Sequence, residues 1–329
     1  MYNYKSEIDL AKKEIKLADS ILLTCHVHPD GDALGSVLAM MHALLKINKN
    51  VTATFPSPFE IPATLRDTLP GLDLLCPPES ILENNFDLVM TFDCGSITRI
   101  EGLSDVFKNS KKLINVDHHV SNEKFGDINI IDTKAASSGS VVLEIIDELG
   151  VELDKNIAQC IYVALLTDTG RFQFSSTNKD VFDQASRLSE YDLPIAFLSR
   201  KLTEEDSFQF MKLCGDVLAQ MKIDNELSFV YAVATTEMRE KYKLSYSDLE
   251  GLIEFVRRTK EADVACVLKE FEPGVYKGSM RSLGEIDVCV IASEFNGGGH
   301  KFAAGFTSEL IPDEIIEQIK LEISKQKEK

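Results

Sequence analysis

The chain has six histidines, and four of them fall in two short segments dense in aspartate. CHVHPDGDALGS carries His26, His28, Asp30 and Asp32, and VDHH carries Asp117, His118 and His119. Asp93 follows the apolar run FDLVMTF, and Asp168 follows the apolar approach of YVALLTDTGRF. If these groups meet, Asp30, Asp32, Asp93, Asp117 and Asp168 would repel one another severely, so cations must neutralise them. Imidazole and carboxylate ligands without thiolate favour manganese, with magnesium, iron, cobalt or zinc as alternatives. The donors outnumber what one ion needs, which suggests two metals sharing an aspartate, the arrangement that drives phosphoryl displacement. One Asp-Gly-Asp alone is commonly just a turn; the weight lies in the joint occurrence of all four segments.

The elements that must bring these groups together are legible in outline. Residues 21–27, 51–55, 86–92, 112–116 and 128–131 are short apolar strand candidates, and residues 33–46 read as an amphipathic helix. Near-continuous apolar strands separated by helices predict a parallel sheet covered on both faces. The chemistry-bearing residues then sit at the carboxyl ends of strands, where open α/β sheets bind ligands. Helices at 140–149 and 156–166 continue this domain, and the apolar approach to Asp168 predicts a carboxylate held inside it. Residues 181–222 read as a helical connector between a domain over 1–180 and a smaller mixed-sheet α/β domain over 223–329. That second domain should have strands at 227–235, 263–271 and 275–281 and helices at 247–258, 286–295 and 312–325. The active site is expected in the cleft between the two domains.

A second cluster lies near the carboxyl terminus, in GSMRS (residues 278–282) and NGGGHKFAAGF (residues 296–306). Consecutive glycines let a ligand approach the main chain, and a helix over 300–304 would add its amino-terminal dipole to an anion cradle. His300 and Arg281 could donate charged hydrogen bonds to phosphate. His42 reads as a half-buried helix residue and Cys94 as packing. With 35 basic against 53 acidic residues, the net charge of −18 excludes a long basic groove for nucleic acid, and tryptophan is absent. No apolar run is long enough to span a bilayer, and the amino terminus lacks a signal-peptide pattern. The seven cysteines are scattered without a CxxC pair, which predicts reduced core residues and a cytoplasmic protein.

These motifs resemble those of the DHH phosphoesterase family with its DHH-associated carboxyl-terminal domain. The resemblance rests on HVHPDGDALGS, the Asp93 segment, Asp117–His118–His119, LLTDTG and GGGHKFAAG, in order along almost the whole chain. Within the family the chain is most similar to the NrnA-like nanoRNase/pAp-phosphatase type. CHVHPDGD and LKEFEPGVY bring it near the actinobacterial branch that also cleaves cyclic dinucleotides. The resemblance implies two divalent cations: His26 and Asp30 on one, Asp32, His118 and Asp168 on the other, and Asp93 bridging. It implies that His119 faces the scissile phosphate and that Asp117 orients the histidines. Arg99, Arg281, Ser282, Gly298, Gly299 and His300 are implied as substrate-binding residues, and His28 is not counted as a ligand. A homodimer is implied by the resemblance only.

The expected activity is hydrolysis of short nucleotides: oligoribonucleotides of two to five residues, pAp, and linear or cyclic dinucleotides such as c-di-AMP. A RecJ-like exonuclease is the alternative, but extended single strands need basic and aromatic surfaces. A non-catalytic nucleotide- or RNA-binding module is the alternative of another class, and the complete set of metal-ligand candidates argues against it.

Overall fold

The computed structural model describes residues 4–328. The chain divides into two compact units, Met1–Glu205 and Asp206–Lys329. In the first, the elements run α1 (Lys5–Leu17), β1 (Ile21–Cys25), α2 (Gly31–Lys46), β2 (Val51–Ala53), β3 (Leu88–Phe92), α3 (Ser104–Lys108), β4 (Lys112–Asp117), β5 (Ile128–Ile131), α4 (Ser138–Glu148), α5 (Lys155–Asp168), α6 (Lys179–Ser189) and α7 (Ile195–Thr203). The five strands form one sheet in the order β2-β1-β3-β4-β5 with every pairing parallel. Every residue of β1 and β3 is buried, as a sheet covered on both faces requires.

Register carries the site. Cys25 pairs with Phe92, and Phe92 with Val116, so three adjacent strands end level. The next residue on each is His26, Asp93 or Asp117. Behind this edge α2 and α5 lie unusually close. A Cβ on Gly35 would stand 2.6 Å from the carbonyl oxygen of Cys160, and one on Gly31 would stand 2.5 Å from Cγ2 of Thr167. Glycine at both positions, one helical turn apart, brings the start of α2 against the end of α5.

The second unit runs α8 (Phe208–Leu218), β6 (Lys222–Asp224), β7 (Phe229–Ala234), α9 (Thr236–Lys241), α10 (Leu252–Val256), β8 (Val264–Glu272), β9 (Val275–Ser282), α11 (Val288–Ser293), β10 (Gly298–His300), β11 (Ala303–Ser308) and α12 (Pro312–Lys327). Its sheet has the order β10-β11-β9-β8-β7-β6, antiparallel except for β7 with β8. Phe229, Cys266, Leu268, Met280 and Phe306 share a core with α11 and α12. Val230, Ala232, Ala265 and Val267 share another with α8 and α10.

The expected helix over 300–304 does not form. Gly298–His300 pairs with Ala303–Gly305 as a β-hairpin. The glycines serve that pairing: a Cβ on Gly297 would lie 2.3 Å from the Gly305 carbonyl oxygen, and Gly299 has φ +145°. All seven cysteines are free, with Cys76 and Cys289 only half-buried. Among the described residues no helix is long and apolar enough to cross a membrane.

Candidate metal centre

Asp30 is the N-cap of α2, where its Oδ1 accepts the backbone N–H groups of Asp32 and Ala33, both at 3.0 Å. The turn signal in Asp-Gly-Asp is therefore real, yet the second Asp30 oxygen remains for other work. Asp30, His26 and Asp93 each offer a ligand atom to one common point. Asp93 has φ +54°, a left-handed conformation that costs a non-glycine residue about 1 kcal/mol or more. That turn sets its carboxylate over the strand ends.

Asp32, one residue into the helix, is 1% exposed. Its oxygens accept the N–H groups of Ser138 (2.7 Å) and Gly139 (2.9 Å) at the amino terminus of α4, which favours negative charge there. Asp32, His118 and Asp168 form a second convergent trio. Asp168 is the last residue of α5, the end of a helix that disfavours an anion. Thr167 and Thr169 turn their hydroxyls back onto helix carbonyls, leaving Asp168 to face His118. Its side chain is 32% exposed, so the carboxylate expected inside the domain is half-buried at the end of the helix, shielded from much of the solvent without being enclosed.

Across the trios, donor atoms face one another at 3.3–3.8 Å. His26 Nε2 is 3.4 Å from Asp93 Oδ2; His118 Nε2 is 3.3 Å from Asp168, 3.6 Å from Asp93 and 3.8 Å from Asp32. These gaps exceed good hydrogen bonds, yet they are close to the roughly 3 Å between neighbouring ligands around a cation with ~2.1 Å bonds. The tautomers fit as well. His26 Nδ1 lies 2.9 Å from the Val27 carbonyl and His118 Nδ1 lies 3.3 Å from that of Ala135. Donation there leaves each Nε2 lone pair for a metal. The donor set thus fits two oxygen- and nitrogen-preferring divalent cations, with Asp93 common to both sides.

The electrostatics agree. Burial, reinforced by the charge of Asp93, pushes both Asp32 and Asp168 well above the usual carboxylate range. Asp93 goes the other way: burial alone would raise it, but His26, His119 and His118 hold it far below. Asp117 is fully occupied. Oδ1 accepts from His119 Nδ1 (2.7 Å) and from the His118 N–H (2.8 Å), and Oδ2 accepts from Asn122 Nδ2 (2.5 Å). For His119, burial lowers the pKa, but the bond to Asp117 and the charge of Asp93 bring it up to about 9.

Sequence reading missed three supporting groups. Ser138 donates its hydroxyl to Asp93 at 3.0 Å, Gly139 binds Asp32, and Asn122 holds Asp117. The signal was ASSGS at a helix start, a run of small residues whose backbone can approach an anion. Arg99 stands 3.0 Å from His26 Nδ1. His28 is exposed with φ +54°, His42 touches the Pro70 carbonyl, and Cys94 is buried in an apolar cluster.

In the second unit, β9–β11 register puts Arg281 opposite Ala303, which itself pairs with His300. Arg281 Nε donates to Glu254 at 3.2 Å, and Glu254 also pairs with Arg257. Gly298 and His300 are exposed on the edge strand β10, whose outer side no strand among the described residues covers. The structure does not bring Ser282 to Arg281's face. Strand alternation turns it toward the α11–α12 side, where it is 5% exposed and accepts the Gly284 N–H.

Residues 20–165 match the DHH family, N-terminal domain, and residues 226–326 match the DHHA1 domain. The chain is 31% identical over 306 residues to the bifunctional oligoribonuclease and PAP phosphatase NrnA of Thermus thermophilus, covering 92% of this chain and 89% of the relative. It is 27% identical over 302 residues to the probable bifunctional oligoribonuclease and PAP phosphatase NrnA of Streptococcus mutans, covering 90% and 91%. An exopolyphosphatase-related protein of Bacteroides fragilis is similar in structure, with TM-score 0.90, 28% identity and coverage of 98% and 97%. RecJ of Thermus thermophilus shares the fold, with TM-score 0.60 at 14% identity over 54% of its own chain.

Proposed function

The chain belongs to the DHH family, and from that premise we propose that it is a two-metal phosphoesterase of short nucleotides. Its substrates are oligoribonucleotides of two to five residues, pAp, and linear dinucleotides, with cyclic dinucleotides such as c-di-AMP as further candidates. The observation that carries this reading is the pair of trios, His26–Asp30–Asp93 and Asp32–His118–Asp168, facing a common carboxylate.

When bound there, divalent cations, manganese by preference, activate water and neutralise charge growing on the phosphoryl oxygens. The chain's own groups do the rest. Asp93 and Asp32 are fixed by Ser138 and Gly139 and need no reorganisation. His119 has Nδ1 tied to Asp117, so Nε2 is the atom that donates to a phosphoryl oxygen. Once His26 Nδ1 donates to Val27, the Arg99 guanidinium loses its acceptor and is freed for a substrate phosphate. Arg281, Gly298, Gly299 and His300 hold a second part of the substrate.

The test is release of mononucleotide from pApA, pAp, a five-residue RNA and c-di-AMP with manganese. Turnover of the linear dinucleotide and pAp is expected. Absence of release from all four would sink the reading, and preference for long single strands would favour the RecJ-like alternative.

A further inference from the structure

Lys269 lies in β8 with 7% exposure, and among the described residues its Nζ has no hydrogen-bond or ion-pair partner. A lysine with so little exposure is normally paired, because holding its ammonium away from water unpaired is costly. Its contact is the ring of Tyr246, 5.7 Å from the centroid, a weak cation–π attraction that does not replace an ion pair. The nearest carboxylate influence, from Glu250, acts without a bond.

Three further observations converge on the same spot. Lys269 pairs directly across the β8–β9 ladder with Lys277, so two like charges occupy one face, an arrangement that destabilises a sheet. Lys277 Nζ also stands over Tyr246, at 5.3 Å. On the other side Lys269 pairs with Ala234 at the end of β7, and just beyond lie the Arg239 Nε and Thr236 Oγ1 atoms, both buried without a hydrogen-bond partner. Arg239 also acts electrostatically on Tyr246. Glu270 accepts the backbone N–H of Thr236 at 2.8 Å, but no carboxylate among the described residues is bonded to Lys269, Lys277, Arg239 Nε or Thr236 Oγ1, so two buried orphan donors stand beside an opposed lysine pair. The spot shares its sheet face with Arg281, four residues from Lys269's register position, or about 13 Å along the strand. Arg281 already leans on Glu254, whereas Lys269 has no such carboxylate.

The geometry points to an anion site in which Lys269, with Lys277 and Arg239, binds a terminal phosphate of the nucleotide substrate and so selects phosphate-bearing ends. This rests on the function proposed above, which supplies a substrate with more than one phosphate.

The test compares the full chain with Lys269→Met on pApA and on unphosphorylated ApA, with manganese. Losing one charged hydrogen bond should raise KM for pApA about tenfold or more, with kcat within about twofold and KM for ApA unchanged. Lys269→Arg should restore most of the loss. Equal shifts for both substrates, or none, overturn the proposal, as does a Lys269→Met chain that melts higher without a change in KM. Should Lys269→Met not fold, the half-buried Lys277→Met carries the same comparison. Calorimetric binding of pAp to the metal-free chain separates the two claims. If wild type hydrolyses nothing but pAp binding still weakens about tenfold in Lys269→Met, the anion site stands and the activity falls. If turnover is normal and neither KM nor binding depends on Lys269, the anion site alone is refuted.

Discussion

Gly35→Ala tests whether the closeness of α2 and α5 builds the metal centre. In an ordinary helix interior this substitution stabilises by about 1 kcal/mol, because alanine loses less backbone entropy. Here the new methyl would lie 2.6 Å from the Cys160 carbonyl oxygen and 3.1 Å from the Ala164 methyl. The carbonyl is backbone and cannot rotate away. Ordinary contact begins near 3.4 Å, so the helices must part by roughly 0.8 Å. Overpacking of this kind costs about 1–3 kcal/mol, which lowers Tm by about 2–12 °C in a unit of this size. The same displacement separates Asp32 on α2 from Asp168 at the end of α5, and a shift of about 1 Å at a reacting centre costs on the order of 10²-fold in rate. Calorimetry and steady-state hydrolysis of pApA read both effects. Gly215→Ala in α8 is the control, since nothing lies within 4 Å of its added Cβ, and it should be neutral or stabilising. If Gly35→Ala keeps Tm and kcat while binding manganese normally, the helix contact does not position the acids and the reasoning fails.

Asp93→Asn keeps the shape but removes the charge that both trios face. A unit charge about 4 Å from a divalent cation at an effective dielectric of 20 is worth about 8 kcal/mol, so manganese affinity should fall by at least about 10³-fold and turnover should vanish. Activity within tenfold of wild type would contradict a shared carboxylate. Asp32 and Asp168 have folded pKa values raised by burial above the unfolded value of 3.8. At these two positions the folded, metal-free chain therefore holds more protons than the unfolded chain, and the two groups withdraw stability as pH rises above about 4. Metal replaces those protons, so the Tm gain from manganese should be larger at pH 7.5 than at pH 5.5; the opposite order, measured by calorimetry, would refute the coupling.

Much of the first unit was legible because its signals are local. Apolar runs placed β1, β3, β4 and β5 within two residues, and helices of three or more turns, such as α2 and α5, were found for the same reason. Parallel topology then followed from alternation, and with it the edge that carries His26, Asp93 and Asp117. What escaped is non-local. Whether a glycine run caps a helix or closes a hairpin depends on a partner strand, and Gly298–His300 became β10 only because β11 returns against it. Asp168 was expected inside because its preceding residues are apolar, and it is half-buried, because it is the last residue of its helix. Ser138 and Asn122 gave no distinctive spacing. Their roles come from α4 and the segment after β4 being folded onto the acids. The stretch over 247–258 contains the helix α10, but only from Leu252 to Val256.

The net charge of −18 bears on substrate length rather than substrate class. In the first unit the conspicuous acids gather in clusters where bound divalent cations would reverse the local sign. In the second, positive groups concentrate on one face of one sheet, at Lys269, Lys277 and Arg281, over a length of about 13 Å. A ligand with two or three phosphates can satisfy these positions. A longer strand gains nothing beyond them, because each further phosphate meets a surface with more carboxylates than ammonium groups and releases few bound counterions. The absence of tryptophan removes the strongest stacking platform for additional bases. Under the proposed function, selection for short nucleotides needs no steric gate, because the positive positions on this face span only about 13 Å and the acidic remainder of the protein disfavours a longer polyanion.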